Sequence, residues 1–84
     1  MKYIDLFLEY LLVVKKHSDN TITNYRVDLV EFNEFVSGNL INIDKNIVND
    51  YLKYLYDNET KKTSISRKLS SLRSFYDYLL KKEY

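Results

Sequence analysis

Near its C-terminal end the chain reads KKTSISRKLSSLRSFYDYL, residues 61–79, in which five cations and five serines are interleaved with apolar residues. That mixture has a chemical use. Long cations neutralise phosphates and reach base edges, and serine donates to a phosphate oxygen without holding the backbone away from it. With Ile65, Leu69, Leu72, Tyr76 and Leu79 turned inward, helical spacing places Ser64, Arg67, Lys68, Ser71 and Ser74 together on the opposite side. Thr63 is the expected N-cap of this helix, whose first N–H groups attract an anion, and Lys61 and Lys62 just before it add to the field. A second polar set, Asn20, Thr21, Asn24 and Arg26, lies in SDNTITNYRVDL. Two helix starts of this kind can straddle one groove of a polyanion. Asp28, Glu31 and Glu34 would repel it, so only the first half of the second helix is expected near the ligand. On pattern alone an ordinary solvated face, which also carries Ser, Lys and Arg, stays open.

Other chemistries lack their parts. The chain has no cysteine, so neither a disulfide nor a thiolate metal site can form. One histidine and scattered carboxylates make no metal constellation, and a single glycine makes no phosphate-cradling loop. His17 sits in a helix-to-helix turn, where a turn or capping role fits better than catalysis. Asp28 and Glu31 read as a solvated polar face, not an acid–base pair. No cofactor is called for, and the chain alone is expected not to be an enzyme.

Four amphipathic segments must position these residues. The first spans about 2–16, with Ile4, Phe7, Leu8, Leu11 and Val14 on one stripe. The second spans about 19–37, with Ile22, Tyr25, Leu29, Phe32 and Val36 inward, Ser18 as N-cap and Gly38 as the left-handed residue that ends it. The third spans about 45–56, capped by Asp44, with Val48, Tyr51, Leu52 and Leu55 inward; the fourth spans about 64–82. Short links between helices give a compact bundle, and Leu40, Ile41 and Ile43 are expected to plug its end. The expected fold is all-α, a compact four-helix bundle forming one domain over residues 1–84.

Composition agrees. Proline is absent and glycine occurs once, which favours helices. A chain of 84 residues has a small core and little room for a deep cleft. Asp5 and Glu9 interrupt the apolar N-terminus, so neither a signal peptide nor a membrane span is expected, and a cytoplasmic location follows. Net charge is only +1, but its distribution is uneven: residues 18–38 carry −3, residues 39–60 carry −2 and residues 61–84 carry +5. The chain closes at KKEY without a terminal cap, as a piece of a longer protein would.

Three stretches taken together resemble a known family. FLEYLLVVKKHS resembles the first helix, leading into a serine, of the N-terminal core-binding (SAM-like) domain of tyrosine recombinases, the phage-integrase and Xer-like proteins. TITNYRVDLVEFNEFV resembles that family's threonine, tyrosine four residues later, Asp-Leu pair and paired phenylalanines. SISRKLSSLRSFYDYLLKKE resembles its last helix, where a leucine-serine step leads into Leu-Arg-x-Phe-Tyr. The resemblance implies a four-helix bundle that clamps one side of duplex DNA while a separate catalytic domain, absent from this chain, grips the other. None of the nine tyrosines is then the nucleophile. In the family the second and fourth helices face the major groove. Carried over, the contacts fall on Thr21, Asn24 and Tyr25, and on Ser64, Arg67, Lys68 and Ser71, with Lys61 and Lys62 alongside. Tyr25 is also at a core spacing, and Arg73 flanks the apolar stripe, where bonding to neighbouring helices competes with DNA. The partners implied are double-stranded DNA and sister recombinase protomers, met through a surface for which Tyr51, Tyr54 and Tyr56 are the candidates, Tyr54 being expected as the most exposed because Tyr51 lies on the inward stripe, with the isolated domain monomeric. The rival reading is a helical protein-interaction module without nucleic acid, favoured by the near-zero net charge and the many tyrosines.

Overall fold

Each helix begins and ends where local chemistry stops it. The computed structural model describes residues 2–83, with α1 at Lys2–Val13, α2 at Asp19–Phe35, α3 at Lys45–Asp57 and α4 at Lys62–Lys81. The Ser18 hydroxyl accepts the Thr21 N–H at 3.3 Å, and the Asp44 carboxylate accepts the Ile47 N–H at 3.0 Å, so both expected caps are in place. The fourth helix departs from expectation. It starts at Lys62, Lys61 occupies the cap position, and no side chain bonds the first turn, so Thr63 is not the cap.

The helix ends explain the short connections. After α2, the Gly38 N–H bonds the Asn33 carbonyl at 2.9 Å and the Ser37 N–H bonds the Glu34 carbonyl at 3.2 Å. This is the paired closure of a Schellman turn. Its left-handed residue is Ser37 (φ 55°), with Gly38 (φ 81°) following, so the glycine lies one position later than the spacing predicts. The same closure ends α3, where Glu59 is left-handed and Thr60 bonds the Leu55 carbonyl at 3.0 Å. The first helix stops at Val13, before the expected end, and leaves Val14 62% exposed instead of inward.

Helices α1, α2 and α4 pack on one another, and α3 leans on them through Tyr51 and Leu55. Ile4, Phe7, Leu8, Leu11, Leu29, Phe32, Ile65, Leu72, Phe75 and Leu79 fill the shared core. Phe7 joins three helices: its ring meets Tyr25 edge-on at 5.7 Å and Phe75 at 5.5 Å. Phe32 meets Tyr51 at 4.9 Å. Leu40 is buried at the end of the bundle, and the Tyr76 hydroxyl donates to its carbonyl at 2.7 Å, while Ile41 stays exposed. The plug is therefore Leu40, with Ile43 partly buried beside it.

The phase of α4 differs from the leucine stripe. Phe75 and Tyr78 are buried, whereas Leu69 and Tyr76 are only partly so. The helix is turned toward α2, and this brings Lys68 and Ser71 inside.

Candidate nucleic-acid interface

Asp28 lies in the middle of α2 and faces α4. It is 1% exposed, so it is no part of a solvated face. A buried carboxylate needs compensating donors, and the turn of α4 supplies them. Arg67 grips it with two parallel bonds, Nε to Oδ2 at 3.2 Å and Nη2 to Oδ1 at 3.0 Å. The Lys68 ammonium donates to Oδ1 at 3.3 Å, and the Ser71 hydroxyl donates to Oδ2 at 2.8 Å. Lys68 also bridges to Glu31 at 3.3 Å, and Glu31 accepts the Tyr51 hydroxyl at 2.7 Å. Burial, reinforced by the bond to Glu31, pushes the Tyr51 hydroxyl well above the usual phenol range.

This network corrects two expectations. Lys68 and Ser71 do not stand on an outer strip: they are 7% and 4% exposed and are held by Asp28. In turn, Asp28 and Glu31 do not face a ligand as bare charges, because Lys68 and Arg67 compensate them. The repulsion read at Asp28 and Glu31 is offset inside the bundle, while Glu34 stays exposed. Arg67 is different. Its side chain is 47% exposed, and its Nη1 has no partner among the described residues, so one edge of the guanidinium is held by Asp28 and the other points outward.

That outward edge opens on a cleft of about 180 Å3 between the first halves of α2 and α4, lined by Thr21, Asn24, Tyr25, Arg67, Ser70 and Ser71. Five of the nine predicted contact residues thus meet in one place. Lys61, Lys62 and Ser64 lie at the start of α4 outside this cleft, and Lys68 is inside the bundle. Ser70 is the residue the sequence reading missed. It is exposed one turn beyond Arg67, and the signal was the i, i+3 spacing once the phase of the helix is known. Tyr25 packs on Phe7 and also lines the cleft, so core and surface roles coexist in one ring. The Thr21 hydroxyl lies 3.0 Å from that of Ser18, which fixes its direction. Arg73 is exposed and bonds no other helix among the described residues, against expectation. Arg26 pairs loosely with Asp5 at 3.6 Å on the surface. Among the described residues no group of His, Asp and Glu is arranged to hold a metal ion, and no helix is long and apolar enough to cross a membrane.

Residues 4–83 match the family model described as phage integrase, N-terminal SAM-like domain. The chain belongs to that family. It is 41% identical, over 99% of its length, to a tyrosine recombinase XerC of Pediococcus pentosaceus, covering 29% of that protein. It is 42% identical, over 88% of its length, to a tyrosine recombinase XerC of Staphylococcus aureus, covering 26% of it. The chain therefore spans less than a third of the relatives it matches. No solved structure matches it. The resemblance drawn from the three sequence stretches holds over nearly the whole chain, and the all-α bundle agrees with it.

Proposed function

We propose that this SAM-like domain is the DNA-binding module of a site-specific tyrosine recombinase or integrase. It clamps one side of duplex DNA at the core recombination site and positions a separate catalytic domain; residues 1–84 act as a single non-catalytic unit. The observation that carries the reading is the convergence of Thr21, Asn24, Tyr25, Arg67 and Ser70 around one open cleft. There a guanidinium edge is presented while the nearest acids are already paired. Small hydroxyl and amide groups let the two helices approach the duplex, and Arg67 offers a donor to a phosphate or a guanine edge. Lys61 and Lys62, exposed at the same end of α4, supply further positive charge for the backbone. Sister protomers are a second class of partner, met through the rings of Tyr54 and Tyr56 on α3; Tyr51 is buried in the core and drops out, and Tyr56, not Tyr54 as expected, is the more exposed.

The test is a duplex titration followed by amide and side-chain NMR signals. The reading expects the largest shifts at Thr21, Asn24, Tyr25, Arg67 and Ser70, with little change at Tyr54 and Tyr56. Shifts confined to α3, or none at low salt, would favour the protein-interaction module.

A further inference from the structure

A second cleft adjoins the first. Its volume is about 280 Å3, and Lys15, His17, Tyr25, Ser74 and Lys81 are among its lining residues. Tyr25 lines both clefts, so its ring is the wall between them. The basic side chains come from two separate places, Lys15 from the segment after α1 and Lys81 from the end of α4, with the His17 imidazole of the α1–α2 turn beside them. The Lys15 ammonium is 6.0 Å from the centre of the Tyr10 ring, and the His17 ring is 6.3 Å from that of Tyr25. Unlike Lys68, neither Lys15 nor Lys81 has an ion-pair partner among the described residues. Asp77, the acid that also lines the cleft, pairs with neither.

Distance decides what such a cleft would meet. Arg67, Ser70, Ser74 and Lys81 follow one another at helical spacing along one side of α4. From Arg67 to Lys81 the axis advances about 21 Å at ~1.5 Å per residue. The major groove is only about 12 Å wide. A helix that crosses the groove with Arg67 inside it overruns the groove, and its Lys81 end lies over the bordering sugar–phosphate strand.

We propose that the Lys15–His17–Lys81 cleft holds a backbone phosphate of the bound duplex, beside the groove that the α2–α4 cleft enters. This rests on the DNA-binding function proposed above. The ligand is a phosphodiester, held by charge and by the Ser74 hydroxyl, and it carries no sequence information.

Binding of mixed-sequence duplexes to the wild-type chain is measured over a salt series and compared with Lys15→Ala/Lys81→Ala. A second pair, Lys45→Ala/Lys53→Ala, removes the same net charge from α3. The slope of log affinity against log salt is expected to shrink by about 1 in the first pair, with equal weakening on unrelated sequences, and to hold in the second. Wild-type binding unchanged in the first pair, or weakened equally by both, overturns the second cleft and leaves the DNA reading standing. Failure of the wild-type chain to bind at low salt overturns both. Because fold loss would mimic an effect, melting curves accompany each variant, and the ring signals of His17, which lines only the second cleft, give an independent readout in the wild type. Shifts with duplex but not with inorganic phosphate at matched phosphate concentration support the assignment; equal shifts with inorganic phosphate alone overturn it.

Discussion

Asp28 and Arg67, 39 residues apart in sequence, are joined by two parallel hydrogen bonds at 3.2 and 3.0 Å, one end of the pair buried and the other half in solvent. The carboxylate belongs to the core and the guanidinium to the surface. The pair therefore links the packing of α2 on α4 to the direction in which Arg67 points.

Breaking that link from the buried side is expected to be costly. Asp28→Asn keeps the volume but leaves the Lys68 ammonium facing only Glu31. Loss of one partner of a buried pair typically costs about 3–5 kcal/mol. Urea denaturation checks this, and a loss below about 1 kcal/mol would mean that the network contributes little. Adding Lys68→Met to Asp28→Asn should cost less than the two single changes summed, because the stranded charge is removed with its partner.

Lys68 and Arg67 both hold Asp28, but only Arg67 also faces outward, so their variants should differ in duplex binding. Lys68→Ala removes a buried cation bridging Asp28 and Glu31, and its effect falls on stability. Arg67→Ala removes a side chain that is half in solvent but leaves the buried Asp28 carboxylate with only Lys68 and Ser71, so it is expected to cost about 1–3 kcal/mol of stability. Beyond that cost it weakens duplex binding, which Lys68→Ala does not do directly. Melting curves and binding isotherms on both single variants distinguish them.

Two leucines of α4 report the phase of that helix. Leu72 is buried and Leu80 is 79% exposed. Leu72→Ala should cost about 2–5 kcal/mol, whereas Leu80→Ala should stay within about 0.5 kcal/mol of wild type. Equal effects would contradict the placement of the core.

The buried phenols set an alkaline limit. The Tyr51 hydroxyl is pushed up by burial and by its bond to Glu31, and that of Tyr76 is pushed up by burial. An unfolded tyrosine loses its proton near pH 10, while these two keep theirs in the folded chain. Above about pH 10 the unfolded state therefore binds fewer protons, and stability falls as pH rises; below it the contribution is fully present. Tyr51→Phe with Tyr76→Phe should flatten the decline, measured as urea stability from pH 8 to 11.

The helices were legible in sequence because their periodicity, and the caps Ser18 and Asp44, are local signals. The site was legible in part. Thr21, Asn24, Tyr25, Arg67 and Ser71 do converge, but the phase of α4 was misjudged. Leucine spacing alone favours a face centred on Leu69 and Leu72. Phe75 and Tyr78 sit off that stripe, and their burial, with Phe75 packed on Phe7, turns the helix. Asp28 makes the turned arrangement possible by accepting Lys68 and Ser71, which polarity had assigned to the outside. A buried polar network joins residues some forty positions apart, and no periodic pattern encodes such pairs. Arg73, exposed and without a bond to another helix among the described residues, shows the converse: a family-like position does not fix a contact.

The most direct measurement is duplex affinity against salt for the wild-type chain and Arg67→Ala. With about five phosphates engaged, the wild-type slope of log affinity against log salt should be roughly −4 to −5. Arg67→Ala should bind more weakly at a temperature where melting curves show it still folded, although losing its two bonds to Asp28 lowers its melting temperature. Salt-independent binding, no binding at low salt, or an Arg67→Ala chain that binds as wild type would contradict the α2–α4 cleft as the DNA interface.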